Sequence, residues 1–276
     1  MESEVNSILV AAHELKAPLA CLRQLAFSFD FEHDDQPSLE RTRAQMLEVS
    51  DRAIKQINDL TKIARLEDGL FTMEPVAVRA VCNDVIDELQ TLFRFNNREL
   101  NVHYSNRTRL VIANRNLLHS VIYNFCLNAM HYSGEKTLSE LTVRDHAGSV
   151  QVLVRDFGPT LPMDVWREIK RGWIKKPTSI AMRPGSSGLG LYIASRFSRF
   201  MNAPIGAIRH RDGTSFFVNL PASTQASLFS WFLLSKTTSL WQSASKKPAH
   251  PTPPEFFLTA TMLLLQSITT YLSSFF

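Results

Sequence analysis

Four groups of residues in this 276-residue chain have types and spacings suited to chemistry. Near the N-terminus, Ala12-His13-Glu14-Leu15-Lys16-Ala17-Pro18-Leu19 sets a carboxylate beside an imidazole in a helical pattern. A neutral imidazole carries a nucleophilic nitrogen, and a carboxylate on the other nitrogen selects the tautomer and supports the developing cation. Alone, the pair is a weak signal, since most histidines on a helix are ordinary solvated or core residues. Asn124 and Asn128 stand four apart, which puts both amides on one helix face. Mg²⁺ takes hard oxygen ligands and is usually held by a few side chains together with phosphates, a role an amide oxygen suits. Val154-Arg155-Asp156-Phe157-Gly158 ends a strand on a carboxylate able to accept from an exocyclic amine such as that of adenine, with a glycine two residues on to let backbone come close. Gly185-Ser186-Ser187-Gly188-Leu189-Gly190-Leu191 opens a helix, where backbone N–H groups and the helix dipole can meet phosphate.

Two other matches fail on order and context. Asp156-Phe157-Gly158 with His210-Arg211-Asp212 imitates a protein-kinase pair of signatures, but the order is reversed and no glycine-rich loop or strand lysine precedes them. The glycines run G-x-x-G-x-G with no strand feeding them, so they make neither a Walker loop nor a dinucleotide fingerprint.

The elements that must position these groups follow from periodicity. Residues 2–30 carry apolar positions at three- and four-residue steps, an amphipathic helix bent at Pro18. Glu32–Pro37 is a polar turn, and Ser38 caps a second helix through Leu39, Met46, Val49, Ala53, Ile57, Leu60, Ile63 and Leu66, which Gly69 ends. The result is a hairpin about 40 Å long. A lone hairpin cannot bury both stripes; two copies can, as a homodimeric four-helix bundle through residues 1–68. The rival is a hairpin packed on its own downstream domain. After Gly69 the pattern changes: an extended run at 71–78, a helix at 79–93, strands at 100–105 and 110–113, and a helix at 114–132. Strands at 140–145 and 149–156 follow, joined by a tight Ala147-Gly148 turn. A short helix at 162–171, an aperiodic stretch at 172–187, a helix at 188–201 and strands at 205–210 and 214–220 complete a mixed-sheet domain.

Composition bounds the rest. Hydrophobic residues make up 45% and charged residues 20%, as in globular proteins. The net charge of +4 is not gathered in a block and points to no nucleic acid. Cys21, Cys82 and Cys126 form no disulfide framework, no signal peptide opens the chain, and a cytoplasmic location is expected. The sequon Asn106-Arg107-Thr108 would then go unread. The tail, 222–276, is apolar and Ser/Thr/Pro-rich. Lys246-Lys247 precedes the uncharged run 256–276, which is long enough to span a bilayer but rich in Thr, Ser and Gln. Membrane contact, a helix packed on the protein, and poor order are its alternatives.

Taken together and in this order, the motifs of residues 1–221 resemble the bacterial sensor histidine kinases of two-component systems. Residues 1–70 look like their dimerisation and phosphotransfer hairpin, and 71–221 like their GHKL-type ATP-binding domain. The resemblance implies a helical hairpin followed by an α/β sandwich, a mixed sheet with helices on one face in the Bergerat-type ATP-binding fold. It implies ATP and Mg²⁺ as cofactors, a homodimer, and a response-regulator receiver domain as partner. His13 would be the phosphoacceptor and Glu14 its neighbouring base. Asn128 would ligate Mg²⁺ with Asn124 assisting, His131 would meet phosphate, and Tyr132 would lie against the adenine. Asp156 would read the adenine amine with Gly158 beside it. Gly188 and Gly190 would hinge and close the lid, with Leu189 between them in the nucleotide-binding second glycine box, Thr214 would complete the base pocket, and Lys175, Lys176 and Arg183 would neutralise phosphate charge.

The chain departs from the family at three places. Thr160, after Pro159, stands where the first glycine box usually has a second glycine. The aromatic motif before the lid is reduced to Ile169-Lys170-Arg171-Gly172-Trp173. Ala17 stands where bifunctional members carry Thr or Asn, and alanine cannot hold a water by hydrogen bonding, so phosphatase activity is expected to be weak. No sensory module fits before His13, so the signal would come from a partner, the tail or a portion outside this chain. Two rivals remain: a weakened nucleotide-binding scaffold, and an ATPase clamp that does not need His13.

Overall fold

The computed structural model describes residues 16, 18–27, 36–134, 138–146, 148–170 and 189–224. Residues 18–27 are helical. The next helix, α1, spans Gln36–Ala64, two residues ahead of the expected cap at Ser38. Pro37 is tolerated because a first-turn residue has no intrahelical N–H bond to lose. Ser38 is already inside the helix, its carbonyl accepting from Thr42 Oγ1 at 3.1 Å. A 3-10 turn, Leu66–Asp68, follows α1, and Gly69 closes it at φ +69°, a left-handed conformation that glycine enters without a Cβ penalty.

The apolar seam of α1 divides. Val49 and Ala53 are buried; Leu60, Ile63 and the following Leu66 join the main core. Leu47, Ile54 and Ile57 stay exposed. The C-terminal half of α1 therefore packs on the domain that follows it, the arrangement the sequence left open as a rival to pure hairpin dimerisation.

That domain is built from β1 (Glu74–Val76), α2 (Val78–Phe95), β2 (Glu99–Tyr104), β3 (Val111–Ala113), α3 (Arg115–Tyr132), β4 (Leu138–His146), β5 (Ser149–Asp156), α4 (Met163–Lys170), α5 (Leu189–Phe200), β6 (Ile205–His210) and β7 (Gly213–Pro221). β1 and β3 form a separate antiparallel ribbon. The main sheet has the order β2-β4-β5-β7-β6, with only the β2–β4 pair parallel. The strand alternation read from the sequence has a physical target. Val150, Val152 and Val154 of β5, with Leu141, Val143, Phe216, Val218 and Leu220, are buried in one core with Leu89, Leu118, Phe125, Ile193 and Phe197 of the helices. Gln151 and Asn219, set between these positions, pair at 2.9 Å and are half-buried. This is the expected α/β sandwich. Burying such apolar area at about 25 cal/mol per Å² is what holds helices to sheet.

Cys21, Cys82 and Cys126 are free, and burial pushes the Cys82 thiol up to about 12. No helix among the described residues is long and apolar enough to cross a membrane. The expectations for the tail beyond residue 224 fall outside the described residues.

Candidate functional site

The site forms where the C-terminal part of α3 meets the ends of β5 and β7. Asn114 caps α3, its side-chain oxygen accepting from the Leu117 N–H at 3.1 Å, and so fixes where the helix starts and which face each later side chain takes. Asn124 is 6% exposed. Its Nδ2 donates to the Ser120 carbonyl at 2.8 Å, which turns Oδ1 toward α5. There a Cβ on Gly190 would stand 2.9 Å from that oxygen, so any larger residue would have to push the Asn124 amide aside. Asn128, one turn on, has a buried Nδ2 without a hydrogen-bond partner. A buried amide donor left unpaired costs about 1–3 kcal/mol, and a phosphate oxygen is a partner of the right chemistry.

Asp156, at the end of β5, is 2% exposed. Its Oδ1 accepts from the Gly158 N–H at 3.0 Å and the Thr214 N–H at 3.1 Å. Burial pushes its carboxyl above the ordinary range, against the pull of these two N–H groups and of Arg155. Asp156, Tyr132, Thr214, Phe216 and Leu161 line a cavity of about 10 Å³. Its chemistry is an apolar slot with one carboxylate, which suits a flat heteroaromatic base carrying an amine. Its size is far below the roughly 300–1,000 Å³ of ligand pockets, so a base needs the surrounding walls to open.

The loop after β5 is tied down. Thr160 Oγ1 donates to the His210 carbonyl at 3.1 Å, the Leu161 N–H donates to Thr214 Oγ1 at 3.1 Å, and Arg209 Nε donates to the Leu161 carbonyl at 2.7 Å. Thr160 thus staples the loop to the β6–β7 turn, a restraint beyond the stiffness expected from Pro159. Two glycines are needed for packing. A Cβ on Gly158 would lie 1.9 Å from the Tyr132 carbonyl oxygen, so the close approach made there is to protein backbone. Gly213, at φ +143°, would put a Cβ 2.0 Å from the Asp156 carbonyl oxygen.

The structure thus brings Asn124, Asn128, His131 and Tyr132 of α3 together with Asp156, Gly158, Leu189, Gly190 and Thr214. His13, Glu14, Ala17, Lys175, Lys176, Arg183 and Gly188 lie outside the described residues. Among the described residues no cluster of three His, Cys, Asp or Glu side chains stands ready to hold a metal ion.

Sequence reasoning missed the polar stripe by which α1 meets this domain. Arg52 Nη1 lies 3.0 Å from His131 Nε2. Lys55 pairs with Glu88 at 2.7 Å and stands 3.7 Å above the Tyr123 ring. Asp59, 1% exposed, accepts from Ser120 Oγ at 2.9 Å and Lys62 Nζ at 2.8 Å. The hydrogen bond from His119, aided by Lys55, brings the Glu88 carboxyl down to about 2 against burial. Burial pushes Glu48 up, with Arg52, Asn96 and Arg98 pulling the other way. The three- and four-residue spacing of Arg52, Lys55, Asp59 and Lys62 was the available signal.

Comparison with known proteins agrees with this geometry. Residues 113–224 match the family of histidine kinase-, DNA gyrase B-, and HSP90-like ATPases. The probable sensor histidine kinase TcrY of Mycobacterium tuberculosis is 26% identical over 212 residues, covering 76% of this chain and 44% of TcrY. The sensor histidine kinase MtrB of Mycobacterium bovis is 27% identical over 215 residues, 76% of this chain and 38% of MtrB. The chain therefore spans less than half the length of these curated relatives. Among solved structures, the histidine kinase AdeS of Acinetobacter baumannii superposes with a TM-score of 0.54 at 14% identity, over 77% of this chain and 98% of that one. The histidine kinase ThkA, solved in complex with response regulator protein TrrA, gives 0.53 at 19% identity, over 77% and 60%. At such identities the structures speak for the fold.

Proposed function

We propose, from the premise that this chain belongs to the sensor histidine kinases, that it binds ATP at the α3–β5–β7 site, phosphorylates His13 and passes the phosphoryl group to an aspartate of a response regulator. One observation carries the nucleotide reading. A fully buried carboxylate, Asp156, is held by two backbone N–H groups at the wall of an apolar slot, and the unpaired Asn128 amide projects from the same helix that supplies Tyr132 to that slot.

In this reading Asp156 accepts from the adenine amine, Thr214 and Tyr132 border the ring, and Asn128 and His131 face the phosphates. Asn128, with Asn124, would hold Mg²⁺, which when bound draws the phosphate oxygens together and neutralises their charge. Glu14 fixes the His13 tautomer, so that a ring nitrogen attacks the γ-phosphorus, the bond to the bridging oxygen breaks and ADP leaves. Transfer of this kind rests on positioning and electrostatics. Lys175, Lys176 and Arg183 supply further positive charge, and Gly188, Leu189 and Gly190 let the lid close. The exposed Leu47, Ile54 and Ile57 of α1 serve a homodimer, as two copies would cover them. Ala17 leaves dephosphorylation of the regulator weak.

Incubation of the full chain with γ-labelled ATP and Mg²⁺ tests the reading. Acid-labile, alkali-stable label that disappears in His13→Ala and Asn128→Ala supports it; label that persists in His13→Ala sinks it. A second reading, a nucleotide-binding scaffold with weak turnover, is favoured by the small slot and the Thr160 staple. Nucleotide binding without label, unimproved by Thr160→Gly, would select it.

A further inference from the structure

We infer that Arg52, on the hairpin helix α1, is a phosphate-binding residue of the nucleotide site; this rests on the reading of that site just given. Successive residues of a helix turn by about 100°. Taking His119 as origin, Tyr123 lies about 40° round α3, Ser120 about 100°, His131 about 120°, Asn124 about 140°, Asn128 about 180° and Tyr132 about 220°. The near part of this arc meets α1, through Lys55 on the Tyr123 ring and Asp59 on Ser120. The far part carries the Asn124 amide beside Gly190, the unpaired Asn128 amide and the Tyr132 wall of the slot. His131 sits on the seam between the two, and Arg52 of α1 reaches it.

The chemistry of that contact leaves Arg52 with capacity to spare. A guanidinium only donates, so His131 Nε2 accepts with its lone pair and the ring proton sits on Nδ1. One of five N–H groups is used; among the described residues Arg52 has no carboxylate within ion-pair distance. Its neighbours along α1 differ. Lys55 has Glu88 at 2.7 Å, Lys62 has Asp59 at 2.8 Å, and Arg65 has Asp68 at 3.5 Å. Glu48, one turn before Arg52, acts on it only through space and is itself held toward its neutral form by burial. A half-buried guanidinium with an unfilled fork, anchored by an imidazole at the phosphate end of a nucleotide site, matches the planar oxygens of a phosphate group. Because Arg52 belongs to α1, phosphate binding then depends on the hairpin helix being docked.

Titration calorimetry on the full chain distinguishes this role from a docking role. The ligands are a nonhydrolysable ATP analogue with Mg²⁺, ADP, and adenosine; the proteins are wild type, Arg52→Ala and Arg52→Lys. Arg52→Ala should bind the ATP analogue about tenfold more weakly or worse, while adenosine, which has no phosphate, binds unchanged and Arg52→Lys recovers part of the loss. Equal weakening for adenosine would make Arg52 a structural contact only and overturn the inference, as would unchanged or tighter binding of the ATP analogue. Arg52→Lys, which keeps the charge and stem, decides the matter if the alanine variant melts early. Wild-type protein that binds no adenine nucleotide would overturn the site reading itself, and this inference with it.

Discussion

Replacing Asp156 by asparagine should move binding and stability in opposite directions. The carboxylate is 2% exposed, and its Oδ1 already accepts from the Gly158 and Thr214 N–H groups. An asparagine oxygen can keep both bonds, so the loop and β7 stay anchored. The buried charge is removed, and burial is the main reason the Asp156 carboxyl sits above its ordinary value of 3.8. A raised folded-state value means that stability is fully present below the unfolded value and falls as pH rises through the folded one. Asp156→Asn should therefore melt no lower than wild type at pH 7, and its stability should depend less on pH above about 4. Binding behaves otherwise. The new NH₂ group meets the adenine amine donor to donor, and a charge-assisted bond worth about 1.5–3 kcal/mol is lost with an unpaired donor left behind at about 1–3 kcal/mol. The sum, roughly 2.5–6 kcal/mol, is on the order of a hundredfold or more in affinity. Asp156→Ala is the control: both N–H groups lose their acceptor, and about 2–6 kcal/mol of stability goes with them. Calorimetric melting and ATP titration of the three proteins decide the matter. If Asp156→Asn binds ATP as wild type does, or unfolds as early as the alanine variant, the assignment of Asp156 to the base is wrong.

Three further outcomes are expected. Gly213→Ala should lose about 2–4 kcal/mol of stability, because φ is +143° and a Cβ would press on the Asp156 carbonyl; a melting temperature within a degree or so of wild type would contradict this. Glu88 has its carboxyl lowered from 4.5 to about 2 by His119 and Lys55, so its contribution is complete above 4.5 and is lost as pH falls from there toward 2. With Glu88 partly exposed the effect is small, and hydrogen exchange of α1 should rise over that interval in wild type and much less in Lys55→Ala. Decay of a phosphorylated receiver domain should be no faster with this protein than without it, given Ala17; rapid, protein-dependent loss would refute weak phosphatase activity.

How much of this was legible beforehand depended on range. The periods of α3 and β5 are local properties of the chain, so the Asn124–Asn128 face and the strand ending at Asp156 could be read directly. The glycines were found for one reason and are needed for another. Gly158 stands out in sequence as a glycine-box residue, yet it, like Gly213, is required by backbone packed against backbone, a contact between segments far apart in sequence. The start of α1 was misplaced because Pro37 reads as a breaker unless it falls in a first turn. The docking of α1 stands in the sequence only as a rival to dimerisation, since a stripe of Arg52, Lys55, Asp59 and Lys62 resembles a solvated helix face until its partners on α2 and α3 are placed. The same holds for Thr160, whose hydroxyl meets a carbonyl of the β6–β7 turn that no local pattern announces.

The central claim is that this site serves phosphorylation of His13. Tandem mass spectrometry under alkaline conditions, on full chain incubated briefly with ATP and Mg²⁺, tests it most directly. The account predicts a phosphoryl group on the imidazole of His13, absent when Asp156→Asn protein is treated alike. A phosphoryl group found elsewhere, or on His13 to the same extent in Asp156→Asn, would contradict it.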